Sequence, residues 1–177
     1  VKQHMFKNHP YRWTTIGSME HIDAATLEEF QAFNKKFYLP NNAVLVVAGD
    51  FEKKQAKEWI CNYFGPIAKG EVTPKKKITE DPITQTIKAT HEDPNIQIPM
   101  LVASYRTPSM KSRDARVLDL ISSYLSDGKS SKLYKKVVDD KKIALQIGAV
   151  GFSQEDYGMY ILYGLPMGDF TTADLLK

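Results

Sequence analysis

The chain is poor in the residues that staple or metallate small proteins. Its 177 residues include one cysteine, Cys61, and four histidines, His4, His9, His21 and His91. A single cysteine closes no intramolecular disulfide, which excludes a disulfide scaffold. A chain of this length needs no such staple, because it can bury about 70% of the surface it exposes when unfolded. Long apolar runs are also missing. The longest, Ala43-Val44-Leu45-Val46-Val47-Ala48, has the length of a strand, whereas a bilayer span needs about 18 residues or more. Nor is there an excess of one charge: 24 basic and 21 acidic residues leave +3. The densest basic cluster, Lys75-Lys76-Lys77, is answered by Glu80-Asp81, so nothing points to nucleic acid. With 42% apolar and 25% charged residues the chain reads as globular.

The elements follow from periodicity and punctuation. Thr26-Leu27-Glu28-Glu29 is a capping box, and Leu27, Phe30, Phe33 and Phe37 recur on one face of the helix it starts. Pro40-Asn41-Asn42 stops that helix, and residues 43–48 read as a strand buried on both faces. After Gly49-Asp50, with Asp50 as cap, a second helix carries Ala56, Ile60, Tyr63 and Phe64 to Gly65-Pro66. Residues 67–82 hold Gly70, Pro74, the lysine run and Pro82, and read as a surface linker. Beyond it come strands at 83–91 and 98–105, the latter broken by Thr107-Pro108. A helix from Ser112 to Leu125 follows, with Val117, Leu118, Ile121 and Leu125 inward, ended by Gly128 in the left-handed conformation. A short helix at 130–138 leads to two strands, 144–152 and 157–165, joined as a hairpin by Ser153-Gln154-Glu155-Asp156. Residues 169–177 read as a helix just begun. Both ends look cut from a longer chain. The order predicts an α+β fold, a mixed, mainly antiparallel sheet with helices on one face. Gly49-Asp50-Phe51 and Gly168-Asp169-Phe170 form a weak internal echo.

No residue pattern assembles a catalytic centre. Gly17-Ser18-Met19-Glu20-His21 misses H-x-x-E-H by its first histidine, and one His with one Glu does not hold zinc. Ser126-Asp127-Gly128-Lys129 fits S-x-x-K, and Gly128-Lys129-Ser130 fits the end of a phosphate loop. Gly128, however, marks a helix end, and Ser123 stands where the phosphate loop needs its first glycine. Residue chemistry alone gives a globular α+β stretch that is not catalytic by itself.

Several stretches, in order, resemble the insulinase/pitrilysin/mitochondrial-processing-peptidase family of inverzincin zinc metallopeptidases. They are His9-Pro10-Tyr11, Ile16-Gly17, the helix capped by Thr26, Tyr38-Leu39-Pro40-Asn41-Asn42, Val46-Val47-Ala48-Gly49-Asp50 and Tyr63-Phe64-Gly65. Further on, Ser104-Tyr105-Arg106-Thr107-Pro108 and the run from Leu125 through Gly128 to Tyr134 continue the likeness. The resemblance implies a partial LuxS/processing-peptidase-like metallohydrolase fold and a hydrolase whose inverted H-x-x-E-H motif lies before the His-Pro-Tyr segment. It implies residues 1–66 as the tail of the metal-bearing subdomain, 67–82 as linker, and 83–177 as part of a second, non-metal-binding subdomain.

The function implied is therefore the non-catalytic portion of a zinc metalloendopeptidase that cleaves peptides or unfolded chains, contributing to the chamber wall. The alternative is part of a catalytically inactive partner subunit of such a peptidase. Zinc belongs to the full-length protein, and no catalytic or metal-ligating residue is expected in this stretch. Ser130, Ser131 and Lys132 are the candidates for a surface facing substrate. The partners implied are peptide substrates, and either the remaining N-terminal and C-terminal parts of the same chain or a homologous subunit. Neither nucleic acid nor a membrane span is expected. A signal peptide ahead of this stretch would place the full-length protein in a bacterial periplasm; the residues themselves set no compartment.

Overall fold

The computed structural model describes all residues, Val1–Lys177. Its chain divides into two compact units, one of Val1–Arg12 with Glu80–Lys177 and one of Trp13–Thr79. The second is thus an excursion that leaves the first after Arg12 and returns at Glu80.

The first unit is built on a three-stranded antiparallel sheet with the order β1-β3-β2, where β1 is Leu101–Pro108, β2 is Ala144–Ser153 and β3 is Tyr157–Pro166. β2 and β3 are the expected hairpin; its turn is closed by the Gln154 N–H donating to the Tyr157 carbonyl at 3.2 Å. Leu145 bulges between the pairs Ala144–Pro166 and Gln146–Leu165. β1 sits three residues later than its expected start and continues through Thr107 and Pro108, which pair with Gly158 and Tyr157. Pro108 does not break the strand because β1 is an edge strand, where a missing N–H is tolerated.

Strand alternation separates the two faces of this sheet. On one face a helix, Arg113–Ser126, lies against β2, with Ser112 capping its start through the Asp114 N–H. Ala115 is its buried residue, while Val117 and Ile121, expected inward, are 37% and 40% exposed. Its last residue, Ser126, donates from Oγ to the Ala149 carbonyl at 2.8 Å and fastens the helix end to β2. On the other face Met159 packs with Met5 and Phe6, flanked by Tyr11, Tyr157 and Ile161. Phe6 is 0% exposed and is the largest fully buried side chain. Its ring meets Tyr11 edge-on at 5.7 Å and Tyr157 at 6.1 Å, the offset geometry that aromatic quadrupoles favour. Gly158 on β3 is required by space: a Cβ there would stand 2.5 Å from Thr107 Oγ1 and 2.8 Å from the Phe152 carbonyl oxygen.

After Gly128 the expected helix at 130–138 is displaced and wider, a π-helical turn over Tyr134–Asp140. It is followed by Lys142 at φ 54°, a left-handed non-glycine residue that swings the chain into β2. The final segment makes only a short turn, Asp174–Leu176. Asp174 accepts from the N–H and Oγ1 of Thr171, at 2.9 and 2.7 Å, and these bonds hold its carboxyl well below the usual range.

The second unit is helical. It holds Met19–Ala24, Leu27–Phe37 and Lys53–Phe64. The capping box is present in full: Thr26 Oγ1 accepts from Glu29 N–H and Glu29 Oε2 accepts from Thr26 N–H. Asn42 donates to the Phe37 carbonyl at the far end of that helix, and Asn41 exchanges two bonds with the backbone of Gly70 at 2.8 and 3.2 Å. The Tyr38-Leu39-Pro40-Asn41-Asn42 stretch is therefore a helix stop with a clasp. The next helix begins after Glu52, so Asp50 is not its cap.

Two expected strands are absent. Residues 43–48 carry no ladder and lie exposed, with Val44 at 90%, and residues 83–91 likewise form no strand. Both stretches have strand composition, but a strand exists only as a pairing, and neither has a neighbouring chain to pair with. No residue of Trp13–Thr79 is buried. No helix is long and apolar enough to cross a membrane.

Candidate functional site

Two places in the first unit gather polar side chains in a defined geometry. The first is the turn that sequence reasoning singled out. Gly128 follows the long helix at φ 72° with open space around its Cβ position, so the backbone angle alone calls for glycine here. The Ser131 N–H donates back to the Gly128 carbonyl at 3.2 Å, and the Lys135 N–H to the Ser131 carbonyl at 3.1 Å. Ser130 and Lys132 are exposed. Ser131 is 5% exposed, and its Oγ has no partner. The turn thus offers one hydroxyl and one ammonium to its surroundings and folds the second hydroxyl inward.

The second place is the neck of the excursion, where Arg12 leaves and Glu80 returns. Glu80 Oε1 accepts from the N–H groups of Asn8 at 2.7 Å and His9 at 2.6 Å; Oε2 accepts from Lys7 N–H at 3.1 Å. Arg106 Nη1, from β1, donates to Oε2 at 3.2 Å and to the Met5 carbonyl at 2.9 Å, while Nη2 reaches the Asp81 carbonyl. The Glu80 N–H donates to Tyr157 Oη at 3.0 Å. The Glu80 side chain is 2% exposed. Burial pushes its carboxyl up, but the His9, Lys7 and Asn8 N–H groups and the Arg106 charge outweigh that and leave it below the ordinary glutamate range. Three successive N–H groups around one anion form a nest, a backbone device that any residues can supply. Nothing in residue identity announces it. Glu80 reads in sequence as a charge balancing the lysine run, and only the fold shows that it joins His9-Pro10-Tyr11 to the Ser104–Pro108 strand.

His9 is buried beside this carboxylate. Its Nδ1 accepts from Tyr11 N–H at 3.2 Å, and Nε2 lies 3.4 Å from Asp156 Oδ2, a network that assigns the proton to Nε2. Both ring nitrogens are thus engaged within the chain. His21 sits in the Met19–Ala24 helix, where Ser18 caps its N–H. No three His, Cys, Asp or Glu side chains converge on a point where a metal could sit. The donor set of these residues does not fit zinc, which needs three or four convergent ligands.

The class the fold defines is an α+β unit in which a long helix lies on a β1-β3-β2 antiparallel sheet. Residues 24–171 match the model of the peptidase M16 inactive domain, and the chain belongs to that family. It is 30% identical over 157 residues to the zinc protease PqqE of Helicobacter pylori, covering 86% of this chain and 35% of that protein. It is 26% identical over 164 residues to the uncharacterized zinc protease YmxG of Bacillus subtilis, covering 90% and 38%. A crystal structure of a protease from Helicobacter pylori superposes with a TM-score of 0.75 at 25% identity, over 97% of this chain and 42% of that one. The peptidase M16 inactive domain from Pseudomonas fluorescens shares the fold, with a TM-score of 0.70 at 18% identity over 93% and 40%. The chain therefore spans less than half the length of these relatives.

Proposed function

We propose that this chain is the non-catalytic portion of a zinc metalloendopeptidase that cleaves peptides or unfolded chains, and that it forms part of the wall of the peptide chamber. The observation that carries the reading is the match of residues 24–171 to the family's inactive domain. It is supported by relatives that are named zinc proteases. Zinc, and the carboxylate that activates water on it, would be supplied by another part of the full-length protein. The chain's own residues would shape and line. In this reading residues 1–66 are the tail of the metal-bearing subdomain, 67–82 the linker, and 83–177 the second subdomain. Ser130 and Lys132 on the turn after the long helix would face the chamber, with Ser131 holding the turn from inside.

The test uses the full-length protein and the 177-residue chain side by side against a quenched peptide. The full-length protein should cleave and lose activity to a chelator, and the 177-residue chain should not cleave. An inverted H-x-x-E-H missing from the full-length sequence, with no cleavage, would give the role to an inactive partner subunit instead. Lys132→Ala in the full-length protein should raise KM for an acidic peptide; unchanged KM and kcat with the fold intact would make the turn structural only.

A further inference from the structure

We propose that the Lys7–Asn8–His9 nest and Arg106 form a carboxylate-binding site that Glu80 fills from within the same chain, as an acid-released latch on the neck of the Trp13–Thr79 excursion. The inference does not rest on the peptidase reading.

Position argues first. The excursion leaves after Arg12 and returns at Glu80, and the residues that Glu80 grips, Lys7 to His9, lie just before the exit. One carboxylate therefore ties the outgoing and returning chain together across more than seventy residues of sequence. Geometry argues second. Both carboxylate oxygens are used, each by two donors, and the side chain is almost wholly enclosed. Three of those four donors are backbone groups, so the site is made by chain conformation and would accept any small carboxylate of the same shape. Arg106 is also anchored on the Met5 carbonyl, which lies on the outgoing side of the neck and does not depend on Glu80. It would stay in place when Glu80 leaves.

Protonation is what opens the latch. A carboxylic acid offers one fewer acceptor site and no charge to Arg106, while the three N–H groups still demand partners. The other ionisable groups near the neck are known. Tyr157 Oη receives the Glu80 N–H, His9 faces Asp156 through Nε2, and Arg12 Nη1 donates to the Lys7 carbonyl. The His9–Asp156 pair is an alternative source of an acid transition, and the experiment separates it.

Amide hydrogen exchange of the 177-residue chain, followed by NMR and corrected for intrinsic rates, reads the latch at Lys7, Asn8 and His9, with the β3 amides as internal standard. At neutral pH the three amides should be protected. In Glu80→Ala they should exchange roughly tenfold faster or more, as expected on losing hydrogen bonds to a charged acceptor, while β3 stays protected. Added formate should restore protection to Glu80→Ala, and chloride at equal ionic strength should not. Unchanged exchange in Glu80→Ala would overturn the latch. Failure of formate to protect the amides would overturn the binding site. Should Glu80→Ala lose β3 protection as well, the wild type and Glu80→Gln decide by titration. Wild-type protection of the three amides should vanish below the ordinary glutamate range before β3 opens, and Glu80→Gln should lack that step. The same step in Glu80→Gln would assign it to His9 and Asp156 and overturn the proposal.

Discussion

The two units differ in what they do with similar material. Trp13–Thr79 carries the better helix signals: the complete capping box at Thr26 and Glu29, a stripe of Leu27, Phe30, Phe33 and Phe37, and a clasp at Asn41. Yet none of its residues is buried. The other unit has a plainer sequence, but three short strands, one long helix and the first dozen residues enclose Phe6, Met159, Ala149 and Tyr160. Helix formation is a local matter, satisfied by caps and i,i+4 neighbours, whereas burial needs a second surface. The strand run 43–48 makes the same point from the other side, since apolar composition without a pairing partner leaves an extended, exposed chain. The neck shows how such an excursion is held. Bringing together the ends of a loop this long costs on the order of 4 kcal/mol in chain entropy, and the Glu80 clamp acts where that cost falls.

The sharpest way to break the comparison is to remove a core residue. Phe6→Ala should destabilise the chain by about 3–5 kcal/mol, because it deletes a fully enclosed aromatic ring together with its contacts to Tyr11 and Tyr157. Urea denaturation followed by tyrosine and tryptophan fluorescence measures it, and a loss below about 1 kcal/mol, the range of surface changes, would mean the core lies elsewhere. Gly158→Ala comes next, at about 1–3 kcal/mol. Its new methyl would meet backbone at Phe152 as well as Thr107, and backbone does not move aside as a side-chain tip does. A midpoint equal to wild type would show that β2 and β3 can separate slightly without cost.

Much of this was legible in the sequence. The hairpin read at 144–152 and 157–165, the helix starting near Ser112, the left-handed Gly128 and the capping box all rest on local rules that the structure obeys. The family was legible too, because its short motifs survive in order. What the sequence hides is whatever depends on a distant partner. Residues 43–48 and 83–91 look like strands and have nothing to pair with. The π-helical turn at Tyr134–Asp140 lies between Gly128 and Lys142, both at positive φ, and its width has no signature in residue type. The Glu80 nest uses backbone N–H groups, which carry no residue signature, so no motif search finds it.

Acid should distinguish the units as well. The Glu80 carboxyl is held below its ordinary value of 4.5, so the folded state binds that proton less readily than the unfolded chain. The stabilisation is complete above the ordinary glutamate range and is lost as pH falls from there through the depressed folded value. Urea midpoints measured from pH 7 down to 3 should therefore decline below about pH 5. Glu80→Gln should show a shallower decline, since it has no such proton to bind. Parallel curves for the two proteins would mean that Glu80 binds its proton equally well folded and unfolded.

A smaller effect belongs to the helix that sequence reads best. Thr26→Ala removes the hydroxyl that accepts from Glu29 N–H and should cost about 1 kcal/mol of local helix stability. It should appear as faster amide exchange in Leu27 to Phe30, with the β3 amides unchanged.

The smallest expected effect is the most informative about what the exposed unit is for. Phe33 is 57% exposed, with its ring 4.7 Å from Phe37 and 6.5 Å from Tyr38. Phe33→Ala in the 177-residue chain should cost only about 0.2–0.5 kcal/mol, the size of an i,i+4 contact. On the proposed reading, the full-length peptidase covers this stripe, because large contiguous apolar faces mark surfaces that pack against another surface. The same substitution there should cost about 3–5 kcal/mol, the range for a buried aromatic ring. Equal small losses in both proteins would show that Leu27–Phe37 stays exposed in the full-length protein, and that residues 1–66 are not the tail of a packed subdomain.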